Sequence, residues 1–133
     1  KSPDLIHWGK QELFLAVSGE GSWDAGRVGA GAVPVKTPKG WLVVYHAADV
    51  NDRYCLGIYL LDPEHPEKVI RRMDVPFMEP LAPYEKEGFF GNVVFTCGAL
   101  LEEETLMIYY GAADDKICRA DVALSDIWEM LGV

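Results

Sequence analysis

The segment GWLVVYHAAD, Gly40 to Asp49, is nearly repeated as LMIYYGAAD, Leu106 to Asp114. Aligned without a gap, Tyr45 falls on Tyr110, Ala47-Ala48 on Ala112-Ala113, and Asp49 lies 65 positions before Asp114. His46 falls on Gly111. Each copy begins as an apolar run of strand character and ends at small residues and an aspartate. A structural role common to both copies would not alternate between histidine and glycine. His46 is therefore the residue added to one copy for a separate purpose.

The repeat extends outward on both sides. CLGIYLLD (Cys55–Asp62) matches CRADVALSD (Cys118–Asp126) loosely, and each copy is preceded by a glycine-containing strand, VGAGAVPV (Val28–Val35) or FGNVVF (Phe90–Phe95). TPKG (Thr37–Gly40) reads as a hairpin turn, and EEET (Glu102–Thr105) holds the same place in the second copy. Strands are expected at Leu13–Val17, Ala30–Val35, Trp41–Tyr45, Tyr54–Leu61, Val93–Phe95, Leu106–Tyr110 and Ile117–Leu124. One helix is expected at Ser125–Leu131, capped by Ser125, with Ile127, Met130 and Leu131 on its buried face. Repeating meanders of three or four strands are the pattern of β-propeller blades. The chain reads as all-β, about two blades of a propeller with a short C-terminal helix. Residues 1–22 would end a preceding blade, 23–88 form one blade, and 89–133 form a second blade and the helix. A single small β-sandwich is the competing architecture. Two blades do not close a ring, which takes about four or more. Exposed blade faces are then expected to drive association, as a homo-oligomer or with further blades.

With 133 residues, half hydrophobic and a quarter charged, the chain can bury an ordinary core. A net charge of -9 argues against sequence-independent nucleic-acid binding and against a basic membrane-surface helix. It leaves room for a small anion in a locally basic pocket. No apolar run approaches the ~20 residues of a membrane helix. Cys55, Cys97 and Cys118 match neither a disulfide framework nor a zinc site, so free thiols and a cytoplasmic location are expected. No secretory signal is expected from the opening KSPDLIHW.

Few residues are equipped for chemistry. Arg27 sits among Gly26, Gly29 and Gly31, and a guanidinium suits bidentate binding of phosphate or carboxylate. The G-x-x-G-x-G spacing is not the dinucleotide fingerprint. His46 ends a strand that would lie beside the Arg27 segment in one blade. Asp49 and Asp114 are turn formers or acceptors for sugar hydroxyls. Trp23, Trp41, Tyr45, Tyr109 and Tyr110 are core residues or faces for stacking a sugar ring. No serine or cysteine lies in a nucleophile elbow, and His7, His46 and His65 lack metal-ligand spacing. No pair of carboxylates can be singled out as acid and base.

SPDLIHW, WDAGRVGAGAVPVKTPKGWLVVYHAAD, YCLGIYLLDPEHPEKVIRR, PLAPYEKEGFFGNVVFTCGALL and IYYGAADDKICRADVAL together resemble the C-terminal part of the β-mannoside phosphorylases of glycoside hydrolase family 130. The resemblance implies a five-bladed β-propeller. It implies inverting cleavage of β-mannosides by inorganic phosphate to α-mannose 1-phosphate, with phosphate as co-substrate and no cofactor or metal. Arg27 and His46 would bind phosphate, and Asp114 and Tyr110 would bind the mannoside. The family more often has Lys at the first of these positions and YHG in place of YHAA. The general acid and further phosphate-binding arginines belong to N-terminal blades that have no counterpart here, so this chain alone is expected to be inactive or nearly so. Hydrolysis by the same family, or a non-catalytic carbohydrate-binding or assembly half-propeller, are the alternatives.

Overall fold

The structure is a computed structural model that describes residues 2–133. Two antiparallel sheets follow one another along the chain. The first contains β1 (Arg27–Gly29), β2 (Val35–Thr37), β3 (Gly40–Ala48), β4 (Tyr54–Leu61) and β5 (Val69–Arg72). The second contains β6 (Val94–Glu102), β7 (Thr105–Ala112) and β8 (Lys116–Ala123), in the order β6-β7-β8. A single turn, α1 (Pro83–Lys86), lies between the sheets, and α2 (Leu124–Leu131) follows the second.

Strands β1 and β2 are two pieces of one inner strand along the edge of β3. β1 pairs with the end of β3, Arg27 with Ala48 and Gly29 with His46. β2 pairs with its start, Val35 with Leu42 and Thr37 with Gly40. Of the expected strand at Ala30–Val35 only Val35 is in a strand, the start of β2; residues 30–34 are the break between the two pieces. Pro34 has no N–H to give the ladder, and only the Ala32 N–H reaches across, to the Val44 carbonyl at 3.0 Å. No strand forms at Leu13–Val17; that stretch has no regular structure, and Leu15 packs on the first sheet. β5 and α1 were not foreseen.

The repeat is a repeat of structure. Both hairpins turn through two residues, Thr37 pairing with Gly40 and Glu102 with Thr105. The next connections differ. Ala48 pairs with Tyr54, whereas Ala112 pairs with Lys116, so the chain takes a wider path through 49–53 than through 113–115. In this register Cys55 is equivalent to Lys116, not to Cys118, so the loose match of CLGIYLLD with CRADVALSD is not the structural one.

Strand alternation decides where the core lies. Leu42 and Val44 of β3, Leu56, Ile58 and Leu60 of β4, and Val94, Leu106, Ile108, Tyr110 and Ala112 of the second sheet form one buried cluster between the sheets. Val43, Tyr45 and Ala47 face the opposite side of the first sheet, where Trp23 and Leu15 cover them. The other side of the second sheet, equivalent to the seam side of the first, is open, with Leu100 58% and Ile117 75% exposed. Leu124, Ile127 and Leu131 seat α2 on the shared core. Met130 instead points outward, 47% exposed. Ala123, not Ser125, is the N-cap, and the Ser125 hydroxyl turns to Asp126. Gly132, in the left-handed conformation at φ 67°, ends the helix.

Ile108 is fully buried at the centre of this shared core. Ile108→Ala should cost about 2–5 kcal/mol of stability in urea unfolding. A loss below about 1 kcal/mol would mean that the sheets do not depend on each other.

Candidate functional site

The ends of β3 and β7 lie together at one edge of the shared core, and a pocket of about 280 Å³ opens there. Arg27, Tyr54, Phe90, Val93, Phe95 and Asp114 line it. Arg27 and Tyr54 begin β1 and β4 of the first sheet, whereas Phe95 lies in β6 and Asp114 in the β7–β8 turn, so neither sheet forms the pocket alone. A neighbouring depression of about 370 Å³ shares Phe95 and Asp114 and continues past Cys97, Gly111 and Lys116.

Arg27 is held in place at one nitrogen. Its Nη1 donates to the Tyr54 hydroxyl at 2.8 Å and pairs with the Asp52 carboxylate at 2.9 Å. Both partners, the tyrosine foremost, favour the charged guanidinium and push its pKa up. The side chain is 60% exposed, so its remaining N–H groups are free to meet an anion. Asp52 reaches it from a left-handed backbone at φ 61°, in the wide connection that the second repeat lacks.

His46 stands behind the pocket wall. Its imidazole stacks on Phe95 with ring centres 3.8 Å apart and lies 6.4 Å from the Tyr54 ring. Gly29, its cross-strand partner, makes room for it: a Cβ on Gly29 would overlap His46 Nε2. In the second sheet the same pair is reversed. Phe95 faces Gly111, with the ring on the inner strand and the glycine on the middle strand. The histidine-for-glycine exchange is thus half of a reciprocal exchange, and the two rings meet between the sheets. Burial lowers the His46 pKa from its ordinary 6.5, so the ring is neutral at pH 7. Its Nδ1 is buried without a hydrogen-bond partner among the described residues.

The two repeat aspartates take different roles. Asp49 Oδ1 accepts the Asn51 and Arg53 N–H groups at 2.8 and 3.1 Å, which holds the wide connection together. Asp114 sits in the tight turn at φ 52°, exposed, and its carboxylate makes no hydrogen bond among the described residues. It faces both depressions. Arg27 and Asp114 are therefore brought to one pocket, with His46 at its back. Tyr110 is not brought there. It is 3% exposed in the shared core, and its hydroxyl donates to Glu85 Oε1 at 2.9 Å. Tyr54, Phe90 and Phe95 provide the pocket's aromatic surface instead. Sequence reasoning missed them because the connection carrying Tyr54 has no match in the other repeat, and because Phe95 sits opposite a glycine only once the register is known. Among the described residues no three His, Cys, Asp or Glu side chains are grouped to hold a metal.

Two adjacent blades, with a basic and an acidic side chain meeting at the mouth between their inner ends, define part of a β-propeller. The family described as beta-1,4-mannooligosaccharide phosphorylase matches residues 1–132, and the chain belongs to it, glycoside hydrolase family 130. The chain is 47% identical over 132 residues to a beta-1,2-mannobiose phosphorylase of Listeria innocua, covering 99% of this chain and 37% of the relative. It is 44% identical over 126 residues to a 1,2-beta-oligomannan phosphorylase of Thermoanaerobacter, covering 95% of this chain and 42% of the relative. The solved Listeria innocua enzyme, in complex with beta-1,2-mannobiose, superposes with a TM-score of 0.93 at 46% identity, over 98% of this chain and 37% of that one. The two sheets are thus part of a five-bladed propeller, and the chain spans well under half the length of these relatives.

Loss of the proton site gives a test. Because the folded state holds His46 below its ordinary pKa, the unfolded chain takes up a proton first as pH falls. The contribution of His46 to stability is full above pH 6.5 and is lost as pH falls below it. Urea midpoints at about pH 7.5 and about pH 5.5 should fall further for the wild type than for His46→Gln. Equal losses would contradict a half-buried, neutral imidazole.

Proposed function

We propose that this chain supplies the phosphate- and mannoside-binding part of an inverting β-mannoside phosphorylase. Phosphate sits against Arg27 and His46, and the mannosyl hydroxyls are held by Asp114. The observation that carries this reading is the meeting of Arg27 and Asp114, from two blades, in one pocket backed by His46. The arrangement suits the two charges of the reaction. A guanidinium with unused donors suits a dianion, and an unpaired carboxylate suits neutral hydroxyls.

The chemistry is a single displacement. A phosphate oxygen attacks the anomeric carbon from the face opposite the glycosidic oxygen. The carbon–oxygen bond to the leaving sugar breaks, and that oxygen takes a proton from a general acid outside this chain. The products are α-mannose 1-phosphate and the shortened saccharide. Arg27 holds the nucleophile by charge, and neutral His46 offers one N–H to it. Phosphate is the only co-substrate the scheme needs. Within the family a β-1,2-mannoside is the proposed substrate, supported by the names of the two relatives at 44–47% identity. The open side of the second sheet, with Leu100 and Ile117, is the proposed seat of the remaining blades.

The complete propeller, this chain with the blades its relatives carry besides, should convert β-1,2-mannobiose and phosphate to mannose 1-phosphate. Arg27→Ala and His46→Ala should each raise the KM for phosphate by about 10- to 150-fold, from about 1.5–3 kcal/mol per charge-assisted contact. Release of free mannose with no phosphate dependence would overturn the proposal.

A further inference from the structure

We infer that Tyr45 and Tyr110, the matching tyrosines of the repeat, are positioning residues that set the two halves of the site independently. Tyr45 sets the phosphate half and Tyr110 the saccharide half. The inference rests on the phosphorolysis proposed above. Both rings are buried, at 1% and 3% exposure, and both face the same side of their own sheet. Neither touches the pocket. Each hydroxyl instead bonds one charged side chain from outside the hairpin.

Tyr45 accepts a hydrogen bond from Arg72 Nε at 3.0 Å. Arg72 pairs with Asp24, a carboxylate only 1% exposed. Asp24 also accepts the Ser18 and Ser22 hydroxyls at 2.9 and 2.6 Å. Three residues on is Arg27, reached through Gly26, whose N–H bonds the Ala48 carbonyl at 2.9 Å. A Cβ at Gly26 would strike the Ala48 and Asp49 carbonyls, so this segment has one seat against β3. The path from the Tyr45 hydroxyl thus ends at the placement of Arg27.

Tyr110 donates to Glu85, a carboxylate 4% exposed whose other oxygen takes the Leu81 and Ala82 N–H groups at 2.8 Å. The Glu85 carbonyl accepts the Val93 N–H, the Val93 carbonyl accepts the Ala113 N–H, and the Ala113 carbonyl accepts the Phe90 N–H, each at 3.0 Å. Phe90, Val93 and the turn carrying Asp114 are therefore tied to one buried carboxylate. The two networks share no residue, and their polarity is opposite: one hydroxyl accepts from a cation, the other donates to an anion. Removing either hydroxyl leaves a buried charge short of a partner and loosens one half of the pocket.

The test uses the complete propeller with Tyr45→Phe and Tyr110→Phe, which keep the rings. Tyr110→Phe should raise the mannoside KM roughly tenfold with the phosphate KM within about twofold, and Tyr45→Phe should do the reverse. Arg72→Lys and Glu85→Asp should give the same split if a Phe variant does not fold. A loss of stability alone lowers the active fraction and moves neither KM. Unchanged KM values, or both KM values moving together in each variant, would overturn the inference. A wild type that forms no mannose 1-phosphate would overturn the proposed reaction instead.

Discussion

Everything in this chain depends on the burial of one sheet face against the next. The second sheet has one covered side, and that side is covered by the first sheet and α2. Leu42, Val44, Leu56, Ile58 and Leu60 on one side and Leu106, Ile108 and Ala112 on the other exclude water from the seam. Apolar burial gives no direction by itself. Direction comes from strand alternation, which sends odd and even residues of β3 to opposite faces, so that the seam has one register.

At the inner end of the seam the packing turns polar, and the two blades stop being copies. A ring and a glycine face each other in both sheets, but the ring is on the middle strand in one and on the inner strand in the other. The exchange brings His46 and Phe95, one ring from each sheet, into a stack. The connections diverge in the same way. Asp49 is consumed by a five-residue path that brings Asp52 and Tyr54 to Arg27, while Asp114 is left unpaired in a three-residue turn. A repeat whose copies differ at their ends can present a cation on one side of a pocket and an anion on the other.

The sequence made the blades legible because strand alternation and the Ala-Ala-Asp endings are local patterns. Arg27, His46 and Asp114 stand out as candidates because a glycine-rich neighbourhood, a broken repeat and a strand-end carboxylate are visible without coordinates, and the fold brings Arg27 and Asp114 to one pocket. Tyr110 was misplaced because its alternation phase puts it in the seam, and the partner that satisfies its hydroxyl, Glu85, lies in a turn with no pattern of its own. The inner strand was misjudged around Pro34 because apolar composition outweighed the missing donor. Tyr54 and Phe95 had no local signal; their roles come from register, which only the folded pairing supplies.

Phosphorolysis by this chain and its missing blades is the proposed reaction, and the pocket between the two sheets is the proposed place of phosphate. In that proposed reaction a neutral, half-buried imidazole stacked on Phe95 and a guanidinium fixed at one nitrogen together hold phosphate. The most direct measurement is a nitrogen-15 titration of the His46 ring in the complete propeller as inorganic phosphate is added. The account predicts a saturable shift of the ring nitrogens and a rise of the His46 pKa when the dianion binds. A His46 ring that does not respond at phosphate concentrations that saturate turnover would contradict it.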